Sequence, residues 1–458
     1  MRMRWLPLAT LLLAGPAFAQ QTPLSPRPLG VPPEVNPAPL APIARPPAGS
    51  VPPPSARPPV ARRDPATPRH PRGRTAAVAD ASGLASDLDA AMEIDAGARA
   101  IAARRNAVRA RDAQVRSPIA GSPALGGSFR SDTRGPDRAR EWDLEIAAPV
   151  WLPGQRGALA GTVEAGVAEQ GYRLELRRLE VAALLRDAYW AVGAAESELR
   201  VARDRLATAR DVARDFSRRA ELGDISPTEA LLGRNETLAA ELELARAEAA
   251  ADSARAAYAT LTGGSTNALA AIRPEPLAPN GNGHPALRAA AAALASAEAQ
   301  ARLVAATPID NPEVGLFTRR QGGPLTEDGY SVGLRLRLPL PTEARNAPRR
   351  ADAEADRTRA NAELLQTRRV VEGEVRLARV ALSAAEASSR LAADRRAVAD
   401  QQVAAARQAF RSGEIGAFDL FRVRQLQIEA AAADAQAQVG VGRARSRLNQ
   451  AMGVVPRG

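Results

Sequence analysis

The chain has no cysteine and no lysine, two histidines, four methionines and 3% aromatic residues among its 458. Without cysteine there can be no disulfide, no thiolate metal site and no lipid carried on an N-terminal cysteine. His70 and His284 stand apart, with neither a nucleophile nor a ligand cluster beside them, and read as ordinary surface histidines. Met1 and Met3 fall in the leader described below, which leaves Met92 and Met452 as the remaining soft ligands. No catalytic constellation, cofactor site or metal site is expected, so the chain does not read as an enzyme. The absence of lysine makes all 62 positive side chains arginine, against 51 acids. These charges alternate along the chain instead of clustering, as on a solvated helical face.

What the chain has in abundance is Ala, Arg, Leu and Glu, the composition of long helices or coiled coil. Residues 1–19 read as an export signal. Arg2 and Arg4 precede an apolar stretch over 6–14, and Ala17-Phe18-Ala19 is a small-x-small cleavage site. The apolar stretch is too short for a permanent bilayer-spanning helix. Export argues against nucleic acid as a partner. Residues 20–83 form a proline-rich tether, with 18 of the 37 prolines in 22–72. Such a segment is either plainly disordered or a polyproline-like arm for a periplasmic partner.

The rest of the chain is written twice, 190 residues apart. Ser117-Pro118-Ile119 returns as Thr307-Pro308-Ile309, Leu144-x-Ile146-x-x-Pro149 as Leu334-x-Leu336-x-x-Pro339, and Gly223-Asp224-Ile225 as Gly413-Glu414-Ile415. One constant offset means equal element lengths, and hence two structural repeats over 84–265 and 286–455 joined by a linker over 266–285. Each repeat predicts a helix (86–115 and 286–306) followed by two strands. The strands are expected over 118–131 and 141–152, then over 309–319 and 329–341.

The second strand of each pair alternates cleanly. Leu144, Ile146, Ala148 and Val150 oppose Asp143 and Glu145. Val332, Leu334, Leu336, Leu338 and Leu340 oppose Gly333, Arg335 and Arg337. Period-two alternation over about ten residues suits a strand with lipid on one side and water on the other, and Trp142 and Trp151 bracket one such strand as an aromatic belt would. Long unbroken helices follow over 154–222 and 344–411. Leu174, Val181, Leu185 and Val192, repeated as Leu364, Val371, Val375 and Leu382, give each a coiled-coil seam. A returning helix runs to Gly263 and to Gly453. Four strands cannot close a membrane barrel, for single-chain barrels have at least eight. Unpaired strands in lipid are costly, so the chain must oligomerise. The competing reading is a soluble coiled-coil scaffold or adhesin, which leaves the alternating strands unexplained.

Three stretches carry a family resemblance. His284-Pro285-Ala286-Leu287-Arg288 looks like a helix opening of the TolC-type outer-membrane factors, and Gly413-Glu414-Ile415-Gly416-Ala417-Phe418-Asp419-Leu420 looks like their second hairpin tip. Leu338-Pro339-Leu340-Pro341-Thr342-Glu343-Ala344-Arg345-Asn346-Ala347-Pro348-Arg349 is similar to the strand-to-helix junction of the cobalt–zinc–cadmium efflux branch. The resemblance spans roughly 84–455. It implies a mainly α fold with a membrane β-barrel: a homotrimer of twelve strands on a periplasmic α-barrel, in the outer membrane. Such a channel would be the passive exit duct of a tripartite pump, partnered by a periplasmic adaptor and an inner-membrane pump of the resistance–nodulation–division type. Heavy-metal cations are the implied cargo, with drug efflux and type I protein secretion as alternatives on the same fold.

The implied working residues are the two hairpin tips, Leu222-Gly223-Asp224-Ile225-Ser226 and Ser412-Gly413-Glu414-Ile415-Gly416. Each offers a glycine free to take positive φ, an acid and an exposed isoleucine. They read either as adaptor contacts or as plain helix–helix turns with an N-cap. Asp419 matches the first acid of the family's entrance motif. Arg422 stands where the second acid would be, and a pairing of Asp419 with Arg422 one turn away is expected.

Deleting residues 22–72 should leave the oligomer folded, because a proline-rich segment contributes little to a packed core. Native gel electrophoresis of the truncated protein checks this; loss of assembly would make the segment structural.

Overall fold

The computed structural model describes residues 79–456 apart from 136, 137, 279–282 and 326, with side chains from residue 83. The expected export signal and nearly all of the proline-rich tether lie outside the described residues. The elements in order are α1 (Ala79–Ile94), α2 (Ala96–Ala110), α3 (Asp112–Arg116), β1 (Ala124–Ser131), β2 (Arg140–Pro149), α4 (Gln155–Glu221) and α5 (Pro227–Leu261). After a 3-10 turn at Asn267–Ala270 come α6 (Pro285–Ala305), β3 (Glu313–Gly322), β4 (Gly329–Arg337), α7 (Glu343–Arg411) and α8 (Ala417–Ala451).

The four strands form one antiparallel sheet in chain order, β2 pairing β3 across the whole α4–α6 excursion. Residues directly opposed in such a sheet share a face. The register therefore puts Leu125, Ile146, Leu316 and Leu334 in one transverse row and Val314 opposite Leu336 in the next, all on one face. These side chains are exposed, Leu334 by 79% and Ile146 by 55%. The other face is charged and paired across strands. Arg319 bridges Glu141 at 2.6 Å and Asp143 at 2.8 Å, Arg335 pairs with Glu145, and Arg337 meets Glu313 at 3.2 Å. Phe317 lies on this face over Gly333, where an added Cβ would meet its ring at 2.5 Å.

The strands are shorter than their sequence pattern predicts, and proline is the reason. β1 starts at Ala124, not 118, because Pro118 and Pro123 donate nothing to a ladder; Pro312 precedes β3, and Pro339 and Pro341 follow β4. Leu338 and Leu340 thus extend the apolar row beyond the ladder. Trp151 does not mirror Trp142. It falls after β2, and its Nε1 donates to the Ser117 carbonyl at 3.1 Å.

α4, with 67 residues, and α7, with 69, are rods of about 100 Å at ~1.5 Å per residue. Pro348 is the sixth residue of α7, so its missing N–H leaves the Ala344 carbonyl without its intrahelical donor near the start of the rod. α5 returns along α4 and α8 along α7, with α6 packed against both α4 and α7. The seams face inward as their spacing requires. Val181, Leu185 and Val192 are buried, while of the later set Val371 and Leu382 are buried and Leu364 and Val375 half-buried. The first seam is better covered because α1 and the 3-10 turn lie over it, adding Leu84, Leu88 and Ala268 to its core.

The first helix expected over 86–115 is three helices, beginning at Ala79 and broken at Asp95 and Arg111. Asp95 is extended (φ −65, ψ 117), and its carboxylate accepts from the Ala98 N–H at 2.9 Å as an N-cap. It also takes a bidentate pair from Arg177 of α4, both bonds at 2.9 Å. That guanidinium holds the Asp95 carboxyl down to about 2. A carboxyl depressed on folding stabilises the fold above its unfolded value of 3.8, and the contribution is lost as pH falls through about 2. Protease nicking near Asp95 should therefore rise between pH 4 and 2, with Asp95→Asn cut readily at every pH; a variant as resistant as the parent at pH 7 would contradict the pairing.

Candidate functional site at the hairpin tips

The two turns at the ends of the rods have the same backbone. Gly223 and Gly413 both take φ +80. Asp224 N–H reaches back to the Arg219 carbonyl at 2.9 Å, as Glu414 N–H does to that of Ala409 at 2.9 Å. Each is the six-to-one bond of a glycine-terminated helix. An added Cβ at either glycine would touch nothing within 4 Å, so the requirement for glycine there is conformational and not steric.

The starts of the returning helices differ. Ser226 caps α5 in a complete capping box: its Oγ accepts from Glu229 N–H at 3.3 Å, and Glu229 Oε2 accepts from Ser226 N–H at 2.8 Å. Gly416 holds the same place before α8 and has no side chain with which to cap. Asp419 is the counterpart of Glu229, 190 residues on, and without a serine partner it is left exposed in the first turn of α8. The helix N-terminus still favours its negative charge. Arg422 is exposed too, and among the described residues the two form no ion pair, contrary to the i,i+3 expectation.

Leu222, Gly223, Asp224 and Ser226 are exposed, as are Ser412, Gly413, Glu414 and Gly416. Ile225 and Ile415 are not: both are half-buried against a small core of Phe216, Phe410, Ala417 and Leu420. This core brings the two hairpins together. The Phe216 and Phe410 rings are 6.1 Å apart, and the Arg219 guanidinium lies 4.3 Å from the Phe410 ring centre. The isoleucines thus anchor the turns from within, leaving the flanking polar residues outside. The repeat pattern hid this core. Phe216 corresponds to Ala406 and Phe410 to Ala220, so large and small side chains trade places between the copies.

Just above the tips, Phe421, Arg424 and Ile428 of α8 line a narrow groove with Ala209 and Val212 of α4 and Gly233 of α5. Arg424 is half-buried there, and its Nε and Nη1 are buried without a hydrogen-bond partner among the described residues. Burial and the neighbouring Arg407 press its pKa below the usual arginine value. Sequence reasoning did not single it out, because an arginine on an arginine-rich helix carries no periodic signal.

Farther up the rods an equatorial belt fixes the relation of the two repeats. Arg186, nearly buried, makes a bidentate pair with Glu275 at 2.9 and 3.0 Å. Trp190 Nε1 donates to Ser446 Oγ at 2.8 Å, and the ring lies so close to Gly442 that an added Cβ would sit 1.9 Å from it. His284 belongs to this belt. Its Nδ1 caps α6 at Ala286 N–H at 3.1 Å, and burial lowers its pKa, so it serves the fold as a neutral acceptor. Among the described residues no group of three or more His, Asp or Glu could hold a metal ion, and no helix is long and apolar enough to cross a membrane.

Comparisons with known proteins fall on the same architecture. Residues 282–454, the second repeat, match the family model described as outer membrane efflux protein. No curated protein matches the sequence. Among solved structures, the outer membrane protein VceC of Vibrio cholerae superposes with a TM-score of 0.64 at 16% identity, covering 82% of this chain and 97% of that one. The CmeC outer membrane channel of Campylobacter jejuni gives 0.61 at 15%, covering 81% and 85%. A membrane protein of Pseudomonas aeruginosa gives 0.65 at 17%, covering 81% and 93%. The chain therefore has the fold of these membrane proteins, and its second repeat carries the sequence pattern of the outer membrane efflux family.

Proposed function

We propose that this chain is the outer-membrane channel subunit of a tripartite efflux pump, a passive duct for cargo delivered by a periplasmic adaptor and an inner-membrane pump. The observation that carries the proposal is the two-faced sheet at the end of the rods. One face is a continuous apolar surface and the other a set of cross-strand Arg–carboxylate pairs. A soluble protein has no use for so large an exposed apolar face, whereas a membrane barrel needs that division between lipid and lumen. Within the chain, β1 and β4 each have a partner on one side alone. Three copies would close the edges into twelve strands, set six rods and their six shorter returning helices below them and leave a channel on the axis.

In this reading the tips meet the adaptor. Leu222, Gly223, Asp224, Ile225 and Ser226 of the first tip and Ser412, Gly413, Glu414, Ile415 and Gly416 of the second form its contact surface, the isoleucines by holding the turns in shape. Asp419 and Arg422 line the channel entrance with charges of both signs. The inner-membrane partner is of the resistance–nodulation–division type. The junction at 338–349 supports heavy-metal cations as cargo, and a duct that binds cations weakly, without a dedicated site, conducts them best.

Two variants test the membrane end and the tip separately. Leu336→Arg puts a charge on the apolar face and should block assembly, at a cost of roughly 2–4 kcal/mol if the residue is near the bilayer midplane. Its neighbour Arg335→Leu, on the charged face, should be tolerated. Heat-modifiable oligomers in outer-membrane fractions are the measurement, and normal insertion of Leu336→Arg would rule out the lipid-facing assignment. Gly413→Val strains a φ of +80 at the far end of the molecule. It should yield normal oligomers yet lose export in a metal-tolerance assay; normal export would reduce the tips to plain turns.

A further inference from the structure

The apolar face of the sheet changes character at its turn end. Across the four strands one transverse row reads Phe129, Trp142, Arg320, Tyr330. The Phe129 and Trp142 rings are 4.5 Å apart, and the Arg320 guanidinium lies 5.4 Å from the centre of the Tyr330 ring. One row nearer the turns, on the same face, stands the exposed Arg140. Toward the helices the next three rows contain no ionisable group. A concavity of about 500 Å³ opens here, with Trp142, Leu144, Thr318, Arg320 and Tyr330 in its wall.

Arg320 differs from the arginines of the opposite face. Arg319 and Arg337 lie within 3.2 Å of a carboxylate, and Arg335 is paired as closely. The side chain of Arg320 is 55% exposed, and Asp328 at 3.7 Å is itself 70% exposed, so that contact is loose and screened. A cation framed by Trp and Tyr at the edge of an apolar surface has the chemistry of a membrane interface, where aromatic rings sit at headgroup depth. A guanidinium offers a planar fork of donors matched to phosphate oxygens.

We propose that Arg320, with Arg140, binds the phosphate of an anionic lipid headgroup, whose acyl chains run down the apolar rows between Leu144 and Leu316. The site fixes the depth of the sheet in the membrane and selects lipids with a net anionic headgroup around it. This rests on the outer-membrane reading given above.

The test uses full-length protein purified from outer membranes in dodecyl maltoside, titrated in native mass spectrometry with dioleoyl phosphatidic acid. Dioleoyl phosphatidylcholine is the control lipid and inorganic phosphate the competitor. The parent should bind phosphatidic acid in preference to phosphatidylcholine. The Arg140→Gln/Arg320→Gln double variant should lose about tenfold in affinity for the acid, and Arg320→Lys should keep part of it because the charge remains. Arg335→Gln, on the opposite face, should bind as the parent does. Equal binding by the double variant, no preference over phosphatidylcholine, or full displacement by inorganic phosphate would overturn the lipid site. Should the parent not be recovered from outer membranes at all, the channel reading falls and the site with it. Normal oligomers without a lipid preference sink the site alone.

Discussion

Backbone hydrogen bonding in hydrocarbon is the constraint on which the proposed channel turns. A strand edge left open in lipid strands several polar groups at a cost of several kcal/mol each, and the sheet has two edges, on β1 and β4, that the proposed membrane location would leave open. In that reading the edges are satisfied by further copies in a closed ring and not by the chain itself. Everything below the sheet is consistent with that demand. The two repeats supply strands in equal pairs and helices in matching lengths, so a ring closed above would impose a ring of rods beneath it.

The side chains on the sheet obey a second constraint, parity. Because β2 and β3 come from different repeats, their register is set across a gap of more than 150 residues. A slip of one residue would swing Leu316 and Leu334 to the charged face and break the Arg319–Asp143 and Arg335–Glu145 pairs together. The ion pairs are individually modest at such exposure. Their value lies in specifying one register out of several.

Much of this was legible in the sequence, since it is written twice at a fixed offset. The two rods, the alternating strands and the positive-φ glycines at 223 and 413 all follow from periodicity and spacing. What could not be read is where the copies depart from each other. The break at Asp95 depends on Arg177, 82 positions later in the chain, and no local signal announces a partner that distant. The burial of Ile225 and Ile415 depends on Phe216 and Phe410, which occupy non-equivalent positions and so vanish from any comparison of the repeats. Asp419 loses its capping partner because Gly416 stands where the first repeat has Ser226, a difference between the copies that their shared spacing conceals.

Asp87, near the start of the described fold, is fully buried on α1. Its carboxylate accepts from the Tyr258 hydroxyl at 2.7 Å, the Ser265 hydroxyl, and the Asn267 and Ala268 N–H groups at 3.1 and 2.9 Å. Burial and that acceptor hold the Tyr258 phenol protonated well above its usual range. Every one of these donors lies at least 171 residues downstream. A carboxylate is too costly to bury before its donors exist, so α1 has to wait in water until the whole first hairpin and the 3-10 turn have been made. Although it is the first helix of the described fold to be synthesised, α1 docks only after α5 and the 3-10 turn that follows it, so within the first repeat the order of assembly runs against the order of translation.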